Sequence, residues 1–263
     1  MPSGKDLILD ANKRALVYGR SGTGKTSLLG KVLELDEMCP LYVFDFDLRL
    51  NSILAVVNRQ RVVDGLTYDQ FRDSTQPGRA FTDAEAKLRE IERDIKAGKG
   101  PRTVGLDTLT FMEKSIMGRT LQLDGKPPTF PPQLQHYKTV ISTIEDFISK
   151  LCALNCNVIV NAHEDIDKDD ITGQMVRGIG VTGKKLPSIL PGYFNEVWYA
   201  EVMAVPNKAP EYRVRVQGTN IISARSVYSN KLEPIEGQGI WKKLLDIDKA
   251  EHAVQTLAGN VAA

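Results

Sequence analysis

Cysteine is scarce: Cys39, Cys152 and Cys156 are the only three in 263 residues. So few thiols, so unevenly placed, build no disulfide framework, which fits a reducing compartment. Cys152 and Cys156 stand close together near a helix end, but a closed zinc site needs about four ligands. No second Cys or His pair stands nearby in sequence, so the two read as buried thiols. No apolar run approaches the roughly 18 residues of a membrane helix. Residues 1–10 also lack a signal-peptide core, so a cytoplasmic protein without a membrane partner is expected. An excess of one charge is missing too. The formal net charge is +1, so any nucleic-acid partner must be met by a local patch rather than by the whole surface. No internal repeat and no second domain stand out. The expected organisation is one α/β domain over 1–238 and a short C-terminal tail over 239–263, helical from about Lys249.

What is present is a loop. Gly19-Arg20-Ser21-Gly22-Thr23-Gly24-Lys25-Thr26 matches G-x-x-x-x-G-K-[ST] without a mismatch. Ala15-Leu16-Val17-Tyr18 before it is a short apolar run suited to a buried strand. Leu28, Leu29, Val32 and Leu33 after it make one apolar stripe of a helix. Gly19, Gly22 and Gly24 let the backbone bring its N–H groups against phosphate oxygens. Lys25 supplies a mobile positive charge for the β- and γ-phosphates, and the Thr26 hydroxyl can enter a Mg²⁺ shell. The following helix, beginning near Ser27, adds the positive end of its dipole. ATP and Mg²⁺ are therefore the expected ligands.

Leu41 to Asp47 reads as a second strand ending in two carboxylates, and a one-striped outer helix is expected from about Thr82 to Gly98. Thr103 to Thr110 reads as a third strand, with Asp107 near its C-terminal end. The Pro- and Gly-rich stretch Met117 to Gln133 reads as an irregular insertion. A helix is expected from Leu134 to Leu154, then a fourth strand from Asn157 to His163. The acidic run 164–170 imitates a calcium loop, but Asp170 stands where an EF-hand wants Gly and Val176 where it wants Glu, so a solvated loop is expected. Residues 171–191 form a Gly-rich stretch carrying Arg177, Lys184 and Lys185. Phe194 to Glu201, Glu211 to Gln217 and Asn220 to Ala224 read as late strands, partly antiparallel. The sum is a mostly parallel central sheet flanked by helices, with the site at the strand C-termini.

Hydrolysis needs a carboxylate for Mg²⁺ and a group that activates water. Asp107 suits the first task, or caps its strand. Asp45 and Asp47 share one strand face, and Asp47, nearer the C-terminal end, is better placed for the second.

Taken in order, Gly19 to Ser27, Phe44-Asp45-Phe46-Asp47, Gly105-Leu106-Asp107-Thr108-Leu109 and Val160-Asn161-Ala162-His163-Glu164 resemble the RecA-like ATPases, most of all the bacteriophage group related to Sak-type single-strand annealing proteins. The resemblance spans about Ala15 to Tyr228. It implies that Asp47 positions the attacking water, although the family more often has Glu there. It implies that His163 senses the γ-phosphate and that Arg225 serves a neighbouring subunit's site. Relatives tend to carry a Lys followed by Arg two residues later, whereas here Arg225 is followed by Val227. Arg177, Lys184 and Lys185 would meet DNA phosphates; a mixed-charge solvated loop is the other reading of that stretch.

The resemblance further implies a homo-oligomeric ring or filament, single-stranded DNA as partner, a phage single-strand-binding protein as a further partner, and the bacterial host cytoplasm as location. Annealing or strand exchange driven by ATP is the expected activity. A small-molecule or nucleotide kinase and a nucleotide-gated protein-binding module are the alternatives from other classes.

Overall fold

The computed structural model describes residues 12–73, 77–168, 172–183 and 185–261. Its strands are β1 (Arg14–Gly19), β2 (Leu41–Asp45), β3 (Leu66–Gln70), β4 (Thr103–Asp107), β5 (Asn157–Lys168), β6 (Met175–Ile179), β7 (Glu196–Met203), β8 (Glu211–Arg215) and β9 (Ile235–Gly237). Its α-helices are α1 (Lys25–Gly30), α2 (Arg59–Gly65), α3 (Arg79–Lys96), α4 (Leu109–Leu123), α5 (Leu134–Cys152), α6 (Lys185–Ile189) and α7 (Ile240–Val261). The sheet order is β3-β2-β4-β5-β1-β7-β8-β9, with β6 paired to β5 outside that path. The strands from β3 to β7 run parallel, and β8 and β9 add antiparallel partners. This is the expected mostly parallel sheet with late antiparallel strands.

Side chains alternate across the central strands, so each strand feeds two cores. Leu16, Tyr18, Val104, Leu106, Val158 and Val160 point to the face covered by α3, α4 and α5. Ala15, Val17, Val43 and Ile159 point to the other face, where Leu28, Leu29, Trp198 and Trp241 pack.

Several elements depart from the sequence expectation. β2 stops at Asp45, because the Phe46 and Asp47 N–H groups turn to the Asp107 carbonyl at 2.6 and 3.0 Å. β3 was not anticipated: its side chains are mostly exposed and only its pairing with β2 makes it a strand. β4 ends at Asp107 and α4 begins at Leu109, then runs through Leu123, so the irregular stretch begins at Asp124 rather than at Met117. Buried Ile116, Thr120 and Leu121 hold the helix there against its low-propensity neighbours.

The acidic run is not a loop up to residue 168. β5 continues through it and pairs antiparallel with β6, Glu164 facing Ile179 and Lys168 facing Met175; residues 169–171 lie outside the described residues. Among the described residues Asn220 to Ala224 forms no strand: its middle residue Ile222 makes a single bridge to Arg177, the following Arg225 makes one to Val197, and the Thr219 hydroxyl takes the Ile221 and Ile222 N–H groups. α7 starts at Ile240, ahead of the expected Lys249, because Trp241 and Leu244 are buried.

Cys152 and Cys156 are buried free thiols whose pKa burial pushes up to about 12. Among the described residues, no helix is long and apolar enough to cross a membrane.

Candidate functional site

The loop between β1 and α1 opens into a cavity of about 310 Å³, lined among others by Ser21, Gly22, Gly24, Lys25, Thr26, Ser27, Asp47, Thr108 and His163. Gly22 and Gly24 hold φ of 81° and 80°, a left-handed backbone that suits glycine. Thr23 Oγ1 donates to the Arg20 carbonyl at 2.8 Å and tightens the turn. Lys25 folds back on the loop, donating to the Gly19 and Arg20 carbonyls at 2.8 and 2.7 Å. Burial lowers its pKa to about 8, opposed by the charges of Asp107, Asp47 and Glu164.

Strand register assembles the acidic flank. Asp45 lies opposite Asp107 and Asp107 opposite Asn161, so three polar residues stand in one row across β2, β4 and β5. Asp107 is fully buried. Its Oδ2 accepts from the Thr26 hydroxyl at 2.7 Å and its Oδ1 from Asn161 Nδ2 at 3.1 Å. Burial raises its pKa to about 6 against the lowering effect of those two hydrogen bonds. Asp45 is also buried, and its Oδ1 accepts the Leu48 N–H at 2.7 Å, so it caps the bend that follows β2. Asp47, in that bend, lines the cavity instead, with Arg49 Nε 3.7 Å from its Oδ1.

His163 sits in β5 opposite Gly19, the first residue of the loop. Its N–H donates to Thr110 Oγ1 at 3.0 Å and its carbonyl accepts from the Gly180 N–H at 2.7 Å. Burial, then the Lys25 charge, keep its pKa below the ordinary value. Its Nε2 and the Thr108 hydroxyl are buried without a hydrogen-bond partner among the described residues. Phosphate oxygens or water in this cavity can satisfy both.

The next residue, Glu164, is a junction. It accepts from Arg20 Nε at 2.7 Å, Tyr199 OH at 2.8 Å and Arg177 Nη1 at 3.0 Å. Burial alone would raise its pKa, but those hydrogen bonds and the Arg177 charge hold it below the usual carboxylate range. Arg177 in β6 therefore faces a carboxylate. Lys185 is exposed at the start of α6, and Lys184 lies outside the described residues. Arg225 stands apart from the cavity, donating to the Pro191 and Phe194 carbonyls at 2.5 and 2.9 Å.

The structure thus brings Lys25, Thr26, Asp47, Asp107 and His163 together and leaves Arg177, Lys185 and Arg225 outside the cavity. Sequence reasoning gave no role to Asn161 or Glu164. A polar residue in the apolar strand Asn157 to Ala162 was the available signal for Asn161; for Glu164 there was none.

The donor set fits ATP with Mg²⁺. Mg²⁺ is held by one or two protein oxygens together with substrate phosphates, and Thr26 and Asp107 offer such a pair. When bound, the ion neutralises charge on the β- and γ-phosphates. The row of Asn161 and Asp107 keeps the carboxylate aimed, while Asp47 and His163 border the space next to Lys25.

No curated protein matches the chain. Among solved structures, it is similar to the flagellar accessory protein FlaH from Methanocaldococcus jannaschii, with 9% identity, TM-score 0.45, and coverage of 89% of this chain and 91% of that one. An ATPase from the type III secretion system of pathogenic bacteria shows 14% identity and TM-score 0.48, over 72% of this chain and 51% of that one. The RadB recombinase shows 12% identity and TM-score 0.44, over 81% and 86%. The AAA domain family matches residues 11–228, which contain every site element described above. With its phosphate loop, buried aspartate and parallel sheet, the chain belongs to the AAA domain family and is a P-loop ATPase.

Proposed function

We propose that the chain is an ATP-hydrolysing recombination protein of the phage Sak-type group, which acts on single-stranded DNA as a homo-oligomer and promotes annealing or strand exchange. In this reading Lys25 and the loop hold the triphosphate, Thr26 and Asp107 hold Mg²⁺, Asp47 positions water and His163 senses the γ-phosphate. The observation that supports it is the continuity of β5. One strand carries Asn161 beside Asp107 and His163 at the cavity, then runs on as the β5–β6 hairpin. A change at the phosphates is thereby linked to a ribbon that exposes Ile166 and Met175. Lys184 and Lys185 follow the ribbon in the chain and are the basic residues proposed to meet DNA. Arg225, held by two carbonyls of its own chain, would have to leave them to reach a neighbour's nucleotide.

A second reading, a nucleotide-gated protein-binding module, is favoured by one observation: Arg177 is ion-paired with Glu164, and Asp165 and Asp167 leave the hairpin acidic.

The deciding experiment is the steady-state ATPase rate with and without single-stranded DNA, at low and moderate salt. Stimulation that fades as salt rises is the expected result. Equal rates under all conditions would sink the DNA reading and favour the protein-binding one.

A further inference from the structure

The cavity has two flanks. The loop follows β1, and in the sheet β1 lies between β5 on one side and β7, β8 and β9 on the other. Asp107, Asn161 and His163 all stand on the β4–β5 flank. A nucleotide whose terminal phosphate faces that flank must send its base elsewhere, and the β8–β9 flank is the other wall of the loop.

Two side chains stand there that the reaction does not use. The register of β8 on β9 pairs Arg213 with Gly237, so Tyr212 and Gln238 are neighbours just past the end of that ladder. Both reach the loop. A Cβ placed on Gly24 would lie 2.9 Å from Tyr212 Cδ1 and 3.4 Å from Gln238 Nε2. Tyr212 lines the same cavity as Lys25 and Thr26, yet remains 41% exposed, an aromatic ring at the mouth of a polar site. Gln238 presents the opposite anomaly. Both its Oε1 and its Nε2 are buried, and among the described residues neither has a hydrogen-bond partner. A buried amide with donor and acceptor both unmade is costly to keep, which marks a group whose partner arrives from outside.

We propose that Gln238, with Tyr212 as a movable cover, reads the base of the bound nucleotide and selects purines bearing an amino group at C6. This rests on the reading of the loop as an ATP site. A carboxamide has one acceptor and one donor side by side. Adenine offers the complement along one edge, a 6-amino donor beside the N7 acceptor, so Oε1 accepts from the amino group while Nε2 donates to N7. Guanine offers two acceptors, O6 and N7, along that edge and can satisfy only the amide N–H. Tyr212, displaced from above Gly24, stacks on the base without regard to its identity, as aromatic rings do. Gln238 therefore governs selectivity and Tyr212 governs affinity.

The test is direct binding of ATP, GTP and inorganic tripolyphosphate to the full chain, as wild type, Gln238→Leu, Gln238→Met, Tyr212→Ala and Tyr212→Phe. Wild type should bind ATP about 10-fold or more tighter than GTP. Both Gln238 variants should bring that ratio close to one with tripolyphosphate binding unchanged. Tyr212→Ala should weaken ATP and GTP alike by about 10-fold, with tripolyphosphate unchanged, and Tyr212→Phe should restore both. An unchanged ATP-to-GTP ratio in Gln238→Leu overturns the proposal. If that variant loses tripolyphosphate binding, its fold has failed and Gln238→Met, of nearly the same shape but without the amide, decides on the same criterion. A wild type that binds tripolyphosphate as tightly as ATP overturns base reading while leaving the loop assignment standing. A wild type that binds neither ligand overturns the ATP site itself.

Discussion

The Thr26 hydroxyl donates to Asp107 Oδ2 at 2.7 Å, and this bond joins the last residue of the phosphate loop to the end of the neighbouring strand. Asn161 Nδ2 holds the other carboxylate oxygen from β5. A group that aims a metal-binding carboxylate typically changes metal affinity by about 10- to 100-fold when removed. Asn161→Ala should therefore raise the Mg²⁺ concentration for half-maximal ATPase by that factor. A Mg²⁺ titration at fixed ATP checks it, and an unshifted midpoint would remove Asn161 from the site.

Lys25 rests on two carbonyls of its own loop and must leave them to meet a triphosphate. Loss of a charge aimed at developing negative charge lowers turnover by about 100- to 1000-fold. Lys25→Ala should show that loss in a steady-state ATPase assay. Retained activity would overturn the assignment of the loop.

Glu164 forms ion pairs with both Arg20 of the loop and Arg177 of the hairpin. Glu164→Gln keeps the shape and removes the charge, leaving both guanidinium groups available to a polyanion. Single-stranded DNA should bind more tightly, and the slope of log affinity against log salt should steepen by about 0.7 for each arginine that gains a phosphate. Anisotropy of a labelled oligonucleotide across a salt series measures this. An unaltered slope would detach these arginines from DNA binding.

Glu113 on α4 is 7% exposed, and its Oε1 accepts the Thr182 N–H at 2.9 Å. Burial raises its pKa from 4.5 to about 7. The folded state thus holds a proton that the unfolded state has released. The stability this contributes is complete below about pH 4.5 and is lost as pH rises through 7, a change of roughly 3 kcal/mol. Glu113→Gln keeps the acceptor and does not titrate. Wild type should lose stability relative to the variant between pH 4.5 and 7, then run parallel to it. Urea melts of both proteins across that range provide the check, and a constant difference would contradict the assignment.

Trp241 packs on Trp198 with ring centroids 4.6 Å apart, and its Nε1 donates to the Leu28 carbonyl at 2.8 Å, tying α7 to the helix behind the phosphate loop. Trp241→Ala should destabilise the chain by about 3–5 kcal/mol. Chemical denaturation reads the loss, and a change below about 1 kcal/mol would mean that α7 is dispensable to the core.

Local chemistry determined much of this protein. The phosphate loop was legible because its glycines, Lys25 and Thr26 act within one short stretch. The buried strands were legible because runs such as Asn157 to Ala162 have no other place to go. Asp107 stood out as an acid closing an apolar run. Tertiary structure decided what depended on pairing. Whether Asp45 or Asp47 faced the cavity was settled by the turn of residues 46 and 47 toward the Asp107 carbonyl, a long-range contact with no local pattern. The acidic run after His163 became a strand because β6 came back to meet it. β3, with its exposed polar side chains, exists only as an edge on β2. Asn161 beside Asp107, Glu164 between Arg20 and Arg177, and Gln238 behind Gly24 are neighbours across strands, loops and helices far apart in the chain. The physical reason is common to all of them: which side chains meet depends on strand register, and register is a property of the folded whole.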